Sequence, residues 1–317
     1  MNIIDNEKRY NTIDRYYKWK YGKKVCKISL NAGFTCPNKD GARGTGGCIY
    51  CSKSGSGDFA GKKDLSIHDQ FYQIKEIMDN KWKDSFYIAY FQANSNTYAS
   101  VEKLDSIYSQ VLNINEDIKE IAIATRCDCI NEEVCIYLSE LNKKIPITVE
   151  LGLQSTHNKT LEFLNTCYTV EDFEESVTML RKYDINVVVH IINGLPYETK
   201  DMMIKNIDLI NKLDVVGIKI HSLMIIKDTL LEKVYLRENF KLLTLEEHVD
   251  ITCDQIERLN KNIIIHRLSA DCSKDDLVAP LWLLKKLVVM NEIDKEMKKR
   301  NTYQGSKQAM NQTTMDN

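Results

Sequence analysis

The sequence lacks the compositional marks of fibrous, disordered and membrane-spanning proteins. It has only 4 prolines and 13 glycines in 317 residues, which excludes collagen-like and low-complexity classes. The formal net charge is −2 and 43% of the residues are hydrophobic, which excludes a disordered chain and a surface that is basic all over. The longest apolar stretch, residues 277–290, is interrupted by Lys285 and Lys286 and is too short to span a bilayer.

We expect no signal peptide, because residues 1–11 are polar and charged without an apolar centre. We therefore expect a cytoplasmic protein with no membrane partner. Thiols stay reduced in that compartment. The 10 cysteines are thus more suited to metal binding, chemistry or core packing than to disulfides.

Short β-branched runs alternate with longer helical patterns, which is typical of β/α units and a parallel sheet. Six strands are predicted, at residues 25–30, 86–92, 120–125, 147–152, 186–192 and 215–221. Five helices are predicted between them, at residues 66–80, 100–112, 131–141, 169–183 and 199–213. Six units are too few for a closed eight-stranded barrel. The sequence therefore predicts an α/β fold with an open, partial (β/α)6 TIM-like barrel, which a seventh run at 262–268 would extend.

Four segments are expected along the chain. Residues 1–24 form a basic and aromatic N-terminal extension and residues 25–244 the barrel, followed by a helical C-terminal extension at 245–300 and a disordered tail at 301–317. In such a barrel the loops that follow the strands carry the functional site. Candidate residues are therefore sought at strand ends.

The loop after the first strand contains three cysteines in a glycine-rich stretch. Cys36, Cys48 and Cys51 are spaced C-x11-C-x2-C within NAGFTCPNKDGARGTGGCIYC. A structural zinc ion takes four protein ligands, and no fourth partner is obvious nearby. A 4Fe-4S cluster with three cysteine ligands leaves one iron open for a small ligand, and the glycines allow the backbone to wrap closely around it. The three cysteines are therefore predicted to bind a 4Fe-4S cluster.

This loop resembles that of the radical S-adenosylmethionine (radical SAM) superfamily, where a C-x-x-C pair with an aromatic residue between follows the first barrel strand. Longer segments of this chain resemble a narrower bacterial family that is related to the radical-SAM half of the elongator catalytic subunit. These segments are KISLNAGFTCPNKDGARGTGGCIYC, GSGDFAG, HIINGLP, GIKIHSL, HRLSADC and TYQG. The resemblance covers nearly the whole chain, from about Arg15 to Gly305.

The resemblance implies a defined chemistry. The open iron would be chelated by the amine and carboxylate of S-adenosylmethionine, and a low-potential donor of the flavodoxin or ferredoxin type would supply an electron. Cleavage of the sulfonium then leaves a 5′-deoxyadenosyl radical that takes a hydrogen atom from the substrate, while the protein orients the reactants and excludes water. The alternative is an iron–sulfur loop without S-adenosylmethionine, used for structure or electron transfer.

Polar residues at the ends of later strands are candidates for holding S-adenosylmethionine. Glu150 and Gln154 lie in ITVELGLQS, which resembles the family's ELGxQS pattern, and they offer partners to ribose hydroxyls or to the amino group. Arg126 can fork onto a carboxylate, although the wider group usually has proline where this chain has Cys127. Gln92 and Asn94 form a polar pair at the position where the superfamily has a glycine-rich stretch, and they are further candidates. Gly194 and Pro196 form a tight turn that is a candidate for contacting adenine.

Further polar residues keep two interpretations each. His221, His266 and Arg267 are candidate substrate contacts or structural residues, and Arg267 equally suits an ion pair with Asp271. Three more cysteines are either a second metal site or core residues, and the sequence does not decide between these roles: Cys127, Cys129 and Cys135.

Residues 8–27 combine eight lysines and arginines with one acid, Asp14, and interleave them with four tyrosines and a tryptophan. Basic side chains neutralise phosphates and aromatic rings stack on unpaired bases. The stretch therefore predicts RNA binding through four lysines: Lys18, Lys20, Lys23 and Lys24. The alternative is a solvated helix whose aromatic rings pack on the barrel.

The resemblance points to uridine at the wobble position of transfer RNA as the substrate. In the family the linked reaction converts carboxymethylaminomethyluridine to aminomethyluridine, and removal of a hydrogen atom next to nitrogen gives a stabilised radical. Two other hypotheses stay open. One is a radical SAM oxidoreductase acting on a small molecule such as a porphyrinogen, and the other is a non-catalytic iron–sulfur protein.

Overall fold

The computed structural model of the chain describes residues 4–55, 57 and 59–308. Its strands are β1 (Val25–Leu30), β2 (Phe86–Phe91), β3 (Ile118–Thr125), β4 (Ile147–Gln154), β5 (Asn186–Asn193), β6 (Gly217–Ser222), β7 (Ile225–Ile226), β8 (Ile264–Arg267) and β9 (Leu277–Ala279). Seven of them form one parallel sheet in the order β1-β2-β3-β4-β5-β6-β8, while β7 and β9 pair separately. The predicted partial barrel is confirmed, and the seventh run extends it as β8.

Helices lie in every crossover between neighbouring strands of this sheet. They are α1 (Ile13–Tyr21), α2 (Ile67–Lys81), α3 (Val101–Val111), α4 (Glu132–Asn142), α5 (Asn158–Phe163), α6 (Val170–Lys182), α7 (Lys200–Ile210), α8 (Leu230–Glu238), α9 (Leu245–Arg258) and α10 (Lys286–Lys299). Two short 3-10 helices span Cys127–Cys129 and Leu281–Lys285. No helix in the described part of the chain is long and apolar enough to cross a membrane.

The starts of the helices follow from capping residues in the sequence. Thr169 and Asp172 form a capping box at the start of α6, in which each side chain accepts a hydrogen bond from the other residue's backbone N–H. Ser100 and Asn131 accept from the backbone of the first turns of α3 and α4. Such bonds satisfy amide groups that have no partner within the helix, and they fix where each crossover ends.

The sheet is buried on both faces, as a parallel sheet with external helices requires. On its outer face the helices supply large buried side chains such as Phe173 and Leu138. On its inner face a smaller apolar cluster forms around Tyr17 of α1, which packs on Ile88, Tyr90 and Ala122. The first helix of the chain thus contributes to the interior of the barrel.

Residues near the N-terminus also join the open edge of the sheet. Ile265 in β8 donates its N–H to the Asn11 carbonyl at 2.8 Å, and Thr12 bridges Ile265 in parallel. Farther along α1 the Tyr17 hydroxyl donates to buried Glu120 at 3.2 Å. Since α1 contacts both β1 and β8, it covers part of the gap between the two edge strands of the open barrel.

The disordered tail expected at 301–317 does not begin at residue 301. The side chain of Gln304 is buried, where it accepts from Asn11 N at 2.9 Å and donates to the carbonyls of Asn260 and Ile263, both at 2.8 Å. A glutamine with all these partners holds residues 301–308 against the barrel. The rest of the expected tail, residues 309–317, lies outside the described residues, and the other segment boundaries stay predictions.

Candidate functional site

The interior of the barrel encloses a cavity of about 560 Å³. Its wall is formed by the loop after β1 and by α1, together with inward-facing residues of all seven strands of the parallel sheet. This volume lies within the range of small-molecule sites, roughly 300–1,000 Å³. The cavity lies where a barrel of this type presents its functional residues.

The three cysteines of the loop after β1 all reach this cavity. The loop is held against the end of α5, because the Ile49 N–H donates to the Leu164 carbonyl at 3.0 Å. The Cys51 N–H donates to the Cys48 carbonyl at 2.9 Å, which makes the C-x-x-C turn compact. Gly46 and Gly47 have φ angles of +81° and +78°, a backbone conformation that residues with a side chain seldom adopt.

The sulfur of Cys48 lies between two hydrogen-bond donors. Asn38 Nδ2 is 3.6 Å and Arg126 Nη1 is 3.8 Å from Cys48 Sγ. Burial raises the pKa of the Cys48 thiol to about 11, while the Arg126 charge acts in the opposite direction. These donors suit a sulfur that is a thiolate when it binds a metal, because they stabilise its negative charge.

The three cysteines are better suited to bind three different irons of a 4Fe-4S cluster than to bind one metal ion together. None of the 10 cysteines, all of them within the described residues, forms a disulfide. In residues 4–55, 57 and 59–308 no three His, Cys, Asp or Glu side chains are grouped so that they could hold one metal ion. Thiolates that bind separate irons of a cube need not converge on one point. Cys127 and Cys135 are fully buried and Cys129 nearly so, as core residues are.

Arg126 lies beside the cysteine loop with its fork already occupied. Its Nε and Nη2 donate to the two carboxylate oxygens of Asp128 at 2.8 and 2.7 Å, and Nη2 also donates to the Thr166 carbonyl at 2.6 Å. The guanidinium lies over the Tyr168 ring, 5.0 Å from its centroid. The structure therefore places Arg126 as a fixed positive charge next to Cys48, rather than as a fork open to a cofactor carboxylate.

Glu150 is buried at the centre of a charged group inside the barrel. Lys27 Nζ lies 2.5 Å from Oε1, His190 Nε2 lies 2.9 Å from Oε2, and Lys219 Nζ contacts Oε2. Burial alone would raise the pKa of Glu150, but the charges of Lys219 and Lys27 and the hydrogen bond to His190 hold it well below its usual range. Both carboxylate oxygens have protein partners, so Glu150 holds the surrounding side chains in position. It is not itself one of the residues that line the cavity.

The other cofactor candidates divide into two sets. Gln92, Asn94 and Gln154 line the cavity, and Gln154 reaches it from a β-bulge with φ +67°. Asn94 also ties the cysteine loop to β2, because its Nδ2 donates to the Phe34 carbonyl at 2.9 Å. The turn predicted for adenine lies off the cavity, where Gly194 packs against leucine side chains. Pro196, in the same turn, is buried and also absent from the wall.

The three predicted substrate contacts all line the cavity. The ring of His221 lies 5.3 Å from that of His190, and burial lowers the pKa of His190 to about 4 and holds those of His221 and His266 well below the usual range. These histidines are therefore neutral near pH 7. Arg267 Nη2 lies 3.5 Å from Asp271 Oδ2, as expected, and Lys286 contacts the same carboxylate.

The predicted RNA-binding lysines lie on and just after α1. Lys18 pairs with Asp14 at 2.9 Å and Lys24 contacts the same acid, while Lys23 pairs with Asp84 at 2.6 Å. Lys20 Nζ lies over the Tyr21 ring, 4.9 Å from its centroid. Lys24 also belongs to the cavity wall. The aromatic residues of this segment divide: Tyr10 and Tyr17 are buried, whereas Trp19 is 63% exposed.

Sequence reasoning missed the two lysines inside the barrel. Lys219 is 5% exposed in the middle of β6, and Lys27, counted with the N-terminal basic residues, points inward from β1. A charged residue inside an apolar parallel strand, as in GIKIH, is the signal that could have identified Lys219, because such burial is unfavourable without a partner.

Comparison with known proteins agrees with the geometry. The Radical SAM superfamily profile matches residues 39–210, and the Radical_SAM C-terminal domain profile matches residues 215–299. The uncharacterized protein YtqA of Bacillus subtilis is 42% identical over 301 residues, 95% of this chain and 93% of its own. The tRNA uridine(34) acetyltransferase of Methanocaldococcus jannaschii is 28% identical over 137 residues, 41% of this chain and 24% of its own. The structure of archaeal Elp3 from Methanocaldococcus infernus superposes with a TM-score of 0.66 at 17% identity, covering 88% of this chain and 64% of that one.

A partial parallel barrel whose first loop turns three cysteines into its cavity is the architecture of a radical SAM enzyme. The chain belongs to the radical SAM superfamily, and within it to the family of YtqA. Its cofactors are a 4Fe-4S cluster and S-adenosylmethionine. The thiols of Cys36, Cys48 and Cys51 and the donors around Cys48 fit the cluster, and these residues would hold it.

Proposed function

We propose that this protein modifies the wobble uridine of transfer RNA, converting carboxymethylaminomethyluridine to aminomethyluridine. In the balanced reaction the carbon between nitrogen and carboxylate would lose a hydrogen atom to the 5′-deoxyadenosyl radical and an electron to the cluster, and water would then cleave its bond to nitrogen, so that the two carbons leave as glyoxylate. When bound, the cluster and S-adenosylmethionine supply a radical able to remove a hydrogen atom from an unactivated carbon. The part of the chain related to a tRNA uridine(34) acetyltransferase supports RNA as the substrate. The barrel around the cavity positions the substrate and keeps water from it.

The observation that carries this proposal is the position of α1. One side of the helix contributes Ile13 and Tyr17 to the cavity wall, while its other side bears exposed Trp19 between Lys18 and Lys20. Lysines attract phosphates, and an exposed indole can stack on an unpaired base. An RNA loop held on this face would lie beside the cavity, to whose wall α1 contributes.

The pairing of the lysines is compatible with this role. Surface ion pairs such as Lys18–Asp14 stabilise a fold by only about 0–1 kcal/mol, so a phosphate can compete for the lysine. Lys20 has ring contacts and leaves its ammonium available to an anion near Trp19. Single-stranded anticodon nucleotides are the kind of RNA that such a mixed basic and aromatic face recognises.

The test is a comparison of transfer RNA nucleosides from cells with and without the gene. Loss of the gene should raise carboxymethylaminomethyluridine and deplete aminomethyluridine and its derivatives, and the wild-type gene should restore the profile where Cys48→Ala does not. An unchanged wobble-uridine profile would overturn the proposed substrate. Formation of 5′-deoxyadenosine by the anaerobic protein reports the radical SAM activity separately.

A further inference from the structure

The interior of the barrel holds more positive charge than its own acid balances. Lys27 from β1 and Lys219 from β6, which we call the interior lysine pair, both contact the single carboxylate of Glu150 from β4. Their side chains are 28% and 6% exposed, and that of Glu150 is fully buried. The neighbouring histidines are neutral, and burial raises the pKa of Glu120, the other buried acid near Lys27. Below the pKa of Lys219, which is about 7, the group around Glu150 therefore carries one net positive charge beside the cavity.

An unbalanced charge in the buried interior of the barrel is unfavourable unless a ligand of the opposite charge binds there. The Tyr90 hydroxyl, 3.4 Å from Lys219 Nζ, supplies a polar contact but no charge. Arg267, in register with Lys219 on β8, adds a further cation to the same wall and shares its acid, Asp271, with Lys286. The arrangement therefore favours an anionic group inside the barrel.

A second observation points to a ligand at the same place. His266 lines the cavity, and its Nδ1 is buried without a hydrogen-bond partner in the described part of the chain. Buried side-chain nitrogens nearly always have a partner, so one left over beside a cavity marks a contact to something that binds there. A neutral imidazole can donate from this nitrogen to an anion.

The interior lysine pair lies deeper than the cysteine loop. Lys27 stands three residues before the end of β1 and Lys219 three residues before the end of β6, whereas the cysteines follow the end of β1. A ligand that reaches the pair must therefore extend into the barrel below the level of the cysteines.

We infer that Lys27 and Lys219, together with His266, bind a carboxylate of the substrate inside the barrel. This inference rests on the proposed function, in which the substrate side chain ends in a carboxylate and the product side chain in an amine. The site would hold the carboxymethyl end of the modified uridine, so that the carbon between nitrogen and carboxylate lies above it. It would also release the product, which lacks the anion.

The test uses two nucleosides, 5-carboxymethylaminomethyluridine and 5-aminomethyluridine, binding to the anaerobically reconstituted protein with S-adenosylmethionine. Hydrogen bonds to charged groups contribute enough for the wild type to bind the first nucleoside about 10-fold more tightly or better. Lys219→Met should reduce this ratio to about 1–2, and Lys143→Met, which removes an exposed lysine on the outer helical layer, should leave it unchanged. Lys27→Met is a second variant that keeps the buried Lys219–Glu150 contact. Thermal unfolding of each variant checks that it folds as the wild type does.

Three results separate the possibilities. A wild-type ratio near 1, or a ratio that survives both Lys219→Met and Lys27→Met, overturns the carboxylate site. A fall in the affinity for S-adenosylmethionine with no change in the nucleoside ratio assigns the lysines to the carboxylate of the cofactor and also overturns it. Binding of an unmodified anticodon stem-loop tests the RNA substrate by itself, so failure of the proposed function does not conceal the result for the site.

Discussion

Arg126 and Asp128 form a two-pronged ion pair across a single intervening residue, and this pairing aims the remaining guanidinium nitrogen at Cys48. The side chains are only 10% and 3% exposed. The pair thus links the end of β3 to the cysteine loop. Its geometry fixes a positive charge 3.8 Å from a sulfur predicted to bind iron.

Asp128→Ala should destabilise the fold strongly, because it leaves the buried Arg126 charge without its partner. Breaking a buried pair in this way costs about 3–5 kcal/mol. The free energy of unfolding from denaturant titration of the apoprotein measures the effect. Glu140→Ala is the matched control, since its pair with Lys143 is 64% and 66% exposed and should contribute no more than about 1 kcal/mol. Equal losses in the two variants would contradict the assignment.

Cys48→Ala should abolish the cluster and with it the cleavage of S-adenosylmethionine. Removal of one of three cysteine ligands leaves an incomplete attachment for the cube. Iron content, visible absorbance and 5′-deoxyadenosine formation after anaerobic reconstitution report the loss. Cys272→Ala, at a half-buried cysteine beyond β8, serves as the control and should retain all three signals. Full iron content in Cys48→Ala would show that the cluster is held elsewhere.

Lys18→Glu combined with Lys20→Glu should weaken the binding of transfer RNA and flatten its dependence on salt. Each phosphate contact that is lost removes about 0.9 from the slope of log affinity against log salt for a duplex, and about 0.7 for a single strand. Fluorescence anisotropy across a salt series gives both quantities. The control Lys143→Glu with Lys144→Glu makes the same charge change near the end of α4. If log affinity plotted against log salt has the same slope for both variants, α1 is not the surface that binds RNA.

The preference for the carboxylate nucleoside should fall as the pH rises from 6 to 9. Burial lowers the pKa of Lys219 to about 7 and the nearby Lys27 and Arg267 charges act in the same direction, while Glu150 opposes them. The ammonium that attracts an anion is therefore present below this pH and is lost above it. The charged and titratable groups around Lys219 are Glu150, Lys27, Tyr90, Arg267 and the three histidines His190, His221 and His266.

Lys219→Arg provides the contrast for this pH series. A guanidinium stays protonated across the whole range, so the variant should lose the pH dependence even if its affinity differs. Binding isotherms for the two nucleosides at pH 6, 7, 8 and 9 measure both profiles. A wild-type preference that is constant over this range would contradict a role for the Lys219 charge.

The periodic parts of the fold could be predicted from the sequence because their signals are local. Residues 25–30 were predicted as a strand and form β1 with the same bounds, since VCKISL is a short apolar run followed by a loop rich in asparagine and glycine. The helix predicted at 169–183 corresponds to α6, whose start is fixed by a capping pattern only four residues long, Thr169 to Asp172. The cysteine loop was equally local, because spacing alone sufficed to bring Cys48 and Cys51 together.

The interior could not be predicted, because it depends on which strands become neighbours. Glu150 was assigned to the cofactor as a carboxylate at a strand end, but its partners Lys27 and Lys219 come from strands far away in the sequence. Likewise, the sequence left open whether the aromatic rings of residues 8–27 stack on RNA or pack on the barrel, and it did not indicate which strands Tyr17 would contact. Gln304 lies in the TYQG segment of the resemblance, but no local pattern predicts its three backbone partners, which are distant along the chain.

The backbone contact between Thr12 and Ile265 joins the first and last pieces of the barrel wall. During synthesis α1 leaves the ribosome early, but β8, against which it docks, emerges only after almost every other strand has been made. Closure of so long a loop is slow compared with the pairing of adjacent strands. The strands from β1 to β6 can therefore pair while this edge of the sheet is still open, and α1 reaches its docked position only once β8 is present.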